Sequence, residues 1–148
     1  MSGSSLTRML AVLDLFREDR PLLSADDIVA ALRCSLPTGY RYLRQLCESG
    51  LLIRSSAGYA LGPRIIELDW QIRQCDPVLQ ASRAAIQSLV AQTGCDVSLI
   101  GIYGDRIVTL HHERGREAME INFGRGRPMP RFWGAPSKAV IAFLPRAR

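Results

Sequence analysis

The sequence predicts an α+β protein built in three parts: a winged helix-turn-helix over residues 1–62, a linker helix over 63–76, and a second α/β unit over 77–148. Three observations carry this. Two capped helical patterns meet across a very short turn near Cys34, a tight polar-tipped hairpin follows at once, and Gly62-Pro63 breaks the chain before the patterning restarts.

In order along the chain, Leu6, Met9, Leu10, Leu13 and Phe16 recur at helical spacing, which predicts an amphipathic helix over residues 5–18. Pro21 interrupts it. Ser24 is placed to cap a second helix, with Asp27 in the reciprocal capping position and Asp26 near the positive helix end. Ile28, Val29 and Leu32 give that helix its apolar face, and Cys34 ends it. Ser35 then caps a third helix, where Pro37 in the first turn removes only an amide that had no partner. The spacing puts Tyr40, Leu43, Leu46 and Cys47 on the core side, with Thr38, Arg41 and Gln45 opposite, flanked by Tyr42 and Arg44. Gly50 supplies the left-handed residue that closes the helix. Leu51–Arg54 and Tyr59–Leu61 read as short strands around the tip Ser55-Ser56-Ala57-Gly58.

Beyond Gly62-Pro63, the residues Ile65, Ile66, Leu68, Trp70 and Ile72 make a linker helix apolar on more than one side, the mark of a helix with a partner outside its own domain. Asp76-Pro77 starts a further helix with Val78, Ala81, Ala85, Leu89 and Val90 inward, ending near Gly94. Residues 96–103 and 106–113 alternate around Gly104-Asp105, which predicts a hairpin whose tip, Asp105 and Arg106, is solvated. A strand over Met119–Phe123, an irregular Gly/Arg/Pro stretch and a helix over Ala135–Phe143 complete the pattern.

Composition is that of a globular protein, and the net charge of +5 is carried almost wholly by arginine, Lys138 being the sole lysine. A basic balance suits a nucleic-acid partner but speaks to association and not to fold. The four cysteines, Cys34, Cys47, Cys75 and Cys95, stand far apart with no C-x-x-C pair, so a reduced cytosolic chain without disulfide or zinc is expected. Arg8 and Asp14 break the first apolar run, which therefore does not read as a signal peptide, and no stretch approaches a membrane span.

A helix fits the major groove of B-DNA, with outward side chains at base edges and flanks at phosphates. The third helix offers an arginine fork for guanine or phosphate, the Gln45 amide for adenine and the Thr38 hydroxyl, while Gly39 is expected to let the backbone approach DNA. The candidate DNA-binding set is Ser35, Thr38, Gly39, Arg41, Tyr42, Arg44 and Gln45 of the helix, with Arg54, Ser55 and Ser56 of the wing. The segments "LPTGYRYLRQLCESGLL", "GYALGPRIIEL" and "PSKAVIAFLP" resemble, in order and spacing, the IclR-type bacterial transcriptional regulators. That resemblance runs from about Leu6 to the end of the chain. It departs from the family at "PSKA" (residues 136–139), where a Gly-Lys-Ala is usual, and in its length. It implies an N-terminal winged helix, a partial GAF-like α/β effector-binding domain with a curved sheet, homodimers or tetramers on palindromic operators, and a small organic acid or aromatic compound as signal. Family members continue for roughly another hundred residues past this "AFLP". The resemblance thus implies an incomplete effector domain over 77–148 with compromised sensing, and no effector-binding residue is assigned. The alternative expectation is an interaction protein that dimerises through residues 64–93 with a full-length relative without regulating by itself.

Two sharper motifs are weighed against plainer readings. His111-His112-Glu113 looks like a metal cluster, but successive strand residues face opposite sides, so two imidazoles there cannot share one ion and no cofactor is expected. Gly124-Arg125-Gly126-Arg127-Pro128 contains the core of a minor-groove AT-hook, yet it joins a strand to a helix and reads as an ordered loop. No Gly-x-Ser-x-Gly elbow, phosphate loop or cysteine–histidine partnership is present, so no enzyme is expected.

Overall fold

The structure, a computed structural model, describes residues 4–104, 106–116, 124–130 and 134–143. The chain separates into two compact units, one through Cys75 and one from Asp76 onward; each is described by itself.

In the first unit, α1 spans Ser5–Leu10 and is capped by Ser4, whose Oγ accepts the Thr7 amide at 3.2 Å. The helix predicted to reach residue 18 instead tightens into a 3-10 turn over Leu13–Leu15, through i→i+3 bonds from Val12 to Met9 and from Leu15 to Val12. This change of pitch rotates Val12, outside the predicted stripe, into full burial, while Leu6 and Leu10 stay exposed.

Helix α2 (Ala25–Leu32) starts with a complete capping box: Ser24 Oγ accepts the Asp27 amide at 3.1 Å, and the Asp27 carboxylate accepts the Ser24 amide at 3.2 Å. It ends on Arg33, whose φ of 50° places a non-glycine residue in the left-handed region and folds the chain back within three residues. Arg8 donates to the carbonyls of Leu32 and Arg33 at 3.2 and 3.4 Å, placing a cation at the negative end of α2.

Helix α3 spans Leu36–Glu48, and Gly50 follows with a φ of 73°. Strands β1 (Leu52–Ser55) and β2 (Gly58–Leu61) pair antiparallel, with Leu52 opposite Leu61 and Ser55 opposite Gly58, so the hairpin turns on Ser56-Ala57. The wing is also fastened along β2, close to its turn. Leu23 and Tyr59 exchange two backbone hydrogen bonds of 3.0 and 2.8 Å, and a Cβ on Gly58 would stand 2.6 Å from the Leu23 carbonyl oxygen. The core is Val12, Leu23, Ile28, Tyr42, Leu43, Leu46, Leu52 and Tyr59, drawn from α2, α3, both wing strands and the segments that precede α2; each such aliphatic side chain contributes about 1.5–3 kcal/mol by leaving water.

Helix α4 (Arg64–Cys75) leaves this core through a bonded joint: the Gly62 amide donates to the Leu51 carbonyl at 2.8 Å and the Arg64 amide to the Gly50 carbonyl at 3.2 Å. None of its residues is buried, and Ile66, Trp70 and Ile72 are more than half exposed.

In the second unit, α5 (Pro77–Thr93) is capped by Asp76, whose carboxylate accepts the Val78 and Leu79 amides, and ends at Gly94 with a φ of 70°. Its inward face differs from the predicted one. Leu79 and Ile86 are buried, whereas Val78, Ala81, Ala85 and Leu89 are exposed. Apolar residues surround this helix on most sides, so periodicity alone could not choose the face. Strands β3 (Val97–Tyr103), β4 (Arg106–Glu113) and β5 (Pro128–Met129) form an antiparallel sheet in that order, with a register shift where Leu99 and Ile100 face His111 and Thr109. The bulge lets Thr109 and Leu110 both be buried. The β5 strand falls where an irregular stretch was expected, and the predicted strand over 119–123 lies outside the described residues. Helix α6 covers Ala135–Ala142.

Candidate nucleic-acid interface

The outer surface of α3 and the adjoining wing gather most of the candidate residues. Arg41, Arg44 and Gln45 are exposed, and Thr38 is half-buried beside them. The Arg41 guanidinium lies 5.6 Å from the centre of the Tyr42 ring, and Arg54 lies 6.0 Å from that of Tyr59. Each arginine thus rests its planar group over a core aromatic while its charge stays in solvent. Ser35 holds the N-cap position, but its hydroxyl donates to Thr38 Oγ1 at 3.0 Å and does not cap a backbone amide.

On the wing, Ser55 Oγ accepts the Ala57 amide and donates to the Gly58 carbonyl, both at 3.2 Å, so this hydroxyl shapes the turn itself. Ser56 is exposed at the tip.

Two candidates are placed elsewhere than expected. Gly39 is buried, and a Cβ there would stand 2.3 Å from Val29 Cγ2 and 3.7 Å from Cys34 Sγ. Its smallness serves the crossing of α2 and α3, so the expectation of a close approach to DNA is corrected. Tyr42 is 4 % exposed, and its hydroxyl lies 3.0 Å from that of Ser5, which ties α3 to α1. Tyr40, expected in the core, is instead half exposed on the outer surface. The buried face is Gly39, Tyr42, Leu43 and Leu46, a helical stripe whose first member has no side chain to announce it.

Reading the sequence also missed Glu48. Its carboxylate accepts Arg44 Nε–H at 2.7 Å on one oxygen and Gln45 Nε2–H at 2.9 Å on the other. The bond to Glu48 and its charge raise the Arg44 pKa above the ordinary arginine value. The available signal was the spacing, because Glu48 stands four and three residues beyond the two side chains it joins.

The second unit offers a different polar cluster. His112 lies with Nδ1 2.9 Å from Ser98 Oγ and Nε2 3.3 Å from Asp96 Oδ2, and Asp96 Oδ1 accepts the Gly115 amide at 2.8 Å. His111 Nε2 instead lies 3.0 Å from Glu113 Oε2. The two imidazoles therefore have separate partners, and among the described residues no group of three His, Cys, Asp or Glu side chains converges as a metal site. The loop at Gly124–Pro128 is bonded to β4. The Gly126 amide donates to the Thr109 carbonyl at 2.9 Å, and the Arg125 guanidinium donates to the Leu110 carbonyl. These described residues are thus bonded to the sheet, while the strand and the segment they were expected to join lie partly outside the described residues.

Residues 5–55 match the sequence model of the IclR helix-turn-helix domain. The HTH-type transcriptional regulator KipR of Bacillus subtilis is 23 % identical over 145 residues, a match that covers 97 % of this chain and 58 % of KipR. This chain therefore spans less than two thirds of that relative's length. An IclR family transcriptional regulator from Brucella abortus superposes with a TM-score of 0.81 at 20 % identity, over 97 % of this chain and 55 % of the other. An IclR homologue from Microbacterium hydrocarbonoxydans, crystallised in complex with 4-hydroxybenzoate, gives 0.63 at 22 % identity, over 86 % and 53 %. Residues 5–55 thus match an IclR-type helix-turn-helix domain, and the fold of the chain is similar to that of IclR-type transcriptional regulators.

Proposed function

We propose that this chain is a sequence-specific DNA-binding transcriptional regulator of the IclR type, acting as a homodimer or higher assembly on a palindromic operator. The observation that carries the reading is the outer stripe of α3, with Arg41 and Gln45 exposed and Thr38 half-buried beside them, next to a wing bonded through Tyr59 to Leu23, just before α2. Arg41, Gln45 and Thr38 read or position on bases, while Arg44, Arg54 and Ser56 face phosphates. Two copies related by a twofold axis place their α3 helices about 34 Å apart, one turn of B-DNA. The exposed apolar side chains of α4 support self-association. Such a regulator works in the cytoplasm; among the described residues no helix is long and apolar enough to cross a membrane.

The 4-hydroxybenzoate held by the Microbacterium homologue supports a small aromatic or organic acid as signal, with residues 77–148 forming the part of the sensing domain this chain carries. No catalytic role is proposed. Selection of genomic DNA fragments by the purified chain, across salt concentrations and with Arg41→Ala, tests the reading. A shared palindrome is expected, with Arg41→Ala costing about 1–3 kcal/mol. Arg54→Ala flattens the logarithmic salt slope by about 0.9 for each phosphate that the arginine had neutralised. Fragments without a common sequence overturn the proposal.

A further inference from the structure

We propose that Glu48 is a specificity-determining positioning residue, which fixes the hydrogen-bond polarity of Gln45 and the guanidinium edge that Arg44 presents to DNA. This rests on the DNA-reading role proposed above for α3. A carboxylate can only accept hydrogen bonds, so the Gln45 side chain must turn its NH2 group toward Glu48, where Nε2 stands 2.9 Å from Oε2. Its carbonyl oxygen is then directed away, and one N–H remains. That pair, one acceptor and one donor, matches the N6 amino group and N7 of adenine. Guanine offers two acceptors at the same edge, O6 and N7, and a glutamine whose second N–H is not held by Glu48 would tolerate it more readily. Arg44 is held by Nε at 2.7 Å, and among the described residues its terminal guanidinium nitrogens make no hydrogen bond.

Stability gives a poor account of this acid. Glu48 is the last residue of α3, where the helix end is negative and a carboxylate is disfavoured. The order Arg44 then Glu48 is the weaker of the two arrangements for a pair four residues apart. Both side chains of the pair are half or more exposed, at 77 and 51 %, where an ion pair counts for little. What the position does achieve is to bring one carboxylate oxygen to Gln45 of the reading stripe and the other to Arg44 beside it. Its negative charge also opposes indiscriminate attachment to the phosphate backbone, so removing it strengthens binding to unrelated DNA.

The test compares the unaltered chain with Glu48→Ala and Glu48→Gln in fragment selection and in binding titrations against the selected and an unrelated duplex, with circular dichroism to confirm folding. Glu48→Gln keeps the shape but offers a donor as well as an acceptor, so it frees the Gln45 amide without removing bulk. Both variants are expected to admit guanine at a position where the unaltered chain selects adenine, and to lower the ratio of specific to unrelated affinity roughly tenfold. A selected profile and affinity ratio identical to the unaltered chain's in both variants overturns this inference alone. If the unaltered chain itself selects no common sequence, the DNA-reading proposal fails, and this one falls with it.

Discussion

At Gly39 the two helices of the motif cross so closely that one methyl group has nowhere to go. A Cβ there overlaps Val29 Cγ2, and the gain in helix propensity on introducing alanine, about 1 kcal/mol at most, does not offset that crowding. Gly39→Ala is expected to destabilise the first unit by about 1–3 kcal/mol, read as a lower urea midpoint with an unchanged slope. Tyr42→Phe keeps the ring in the core and removes only its bond with the Ser5 hydroxyl, for an expected loss of about 0.5–1.5 kcal/mol. These two residues also show why the site was only partly legible. Arg41, Arg44 and Gln45 were readable as exposed because charge and amide groups resist burial. Tyr40 and Tyr42 are chemically the same, and the choice between them depended on a stripe that begins at a glycine. Hydrophobic periodicity does not register a residue without a side chain, so the predicted core face was rotated and the tyrosines exchanged places.

Individual elements were more legible where their signals are local. The capping box of α2, the glycine after α3, the hairpin of the wing and the Asp76 cap of α5 each involve residues within a few positions of one another. The shortening of α1 and the inward face of α5 were not readable, because both are set by what the helix packs against. At the α2 cap, the hydrogen bonds from Ser24 and then Arg20 hold the Asp27 carboxyl below its ordinary value of 3.8. A lowered pKa means that the folded state binds its proton less readily than the unfolded chain. The stabilisation is therefore present above the ordinary range and is lost as pH falls through the folded-state value. Acid titration of the unaltered chain against Asp27→Asn is expected to show stability curves that diverge above about pH 4 and converge below it. Curves parallel throughout would contradict an ionised Asp27 at the cap.

For the whole molecule, the apolar side of α4 is the feature that a solitary chain would leave in water. Ile66 is 72 %, Trp70 62 % and Ile72 53 % exposed. Sedimentation equilibrium is expected to find a dimer, and Ile66→Glu combined with Trp70→Glu is expected to give monomers that retain their circular dichroism. A monomeric unaltered chain would leave the proposed twofold complex without support. The compact units divide between Cys75 and Asp76, at the Asp76-Pro77 punctuation, whereas Gly62-Pro63 falls inside the first unit. The joint between α3 and α4 has a mechanical consequence. With Gly62 and Arg64 bonded to the carbonyls just beyond α3, and with a Cβ on Gly62 only 2.1 Å from the Gly50 carbonyl oxygen, no slack separates the two helices. A twist applied along α4 is therefore expected to be passed through this joint to the C-terminal end of α3.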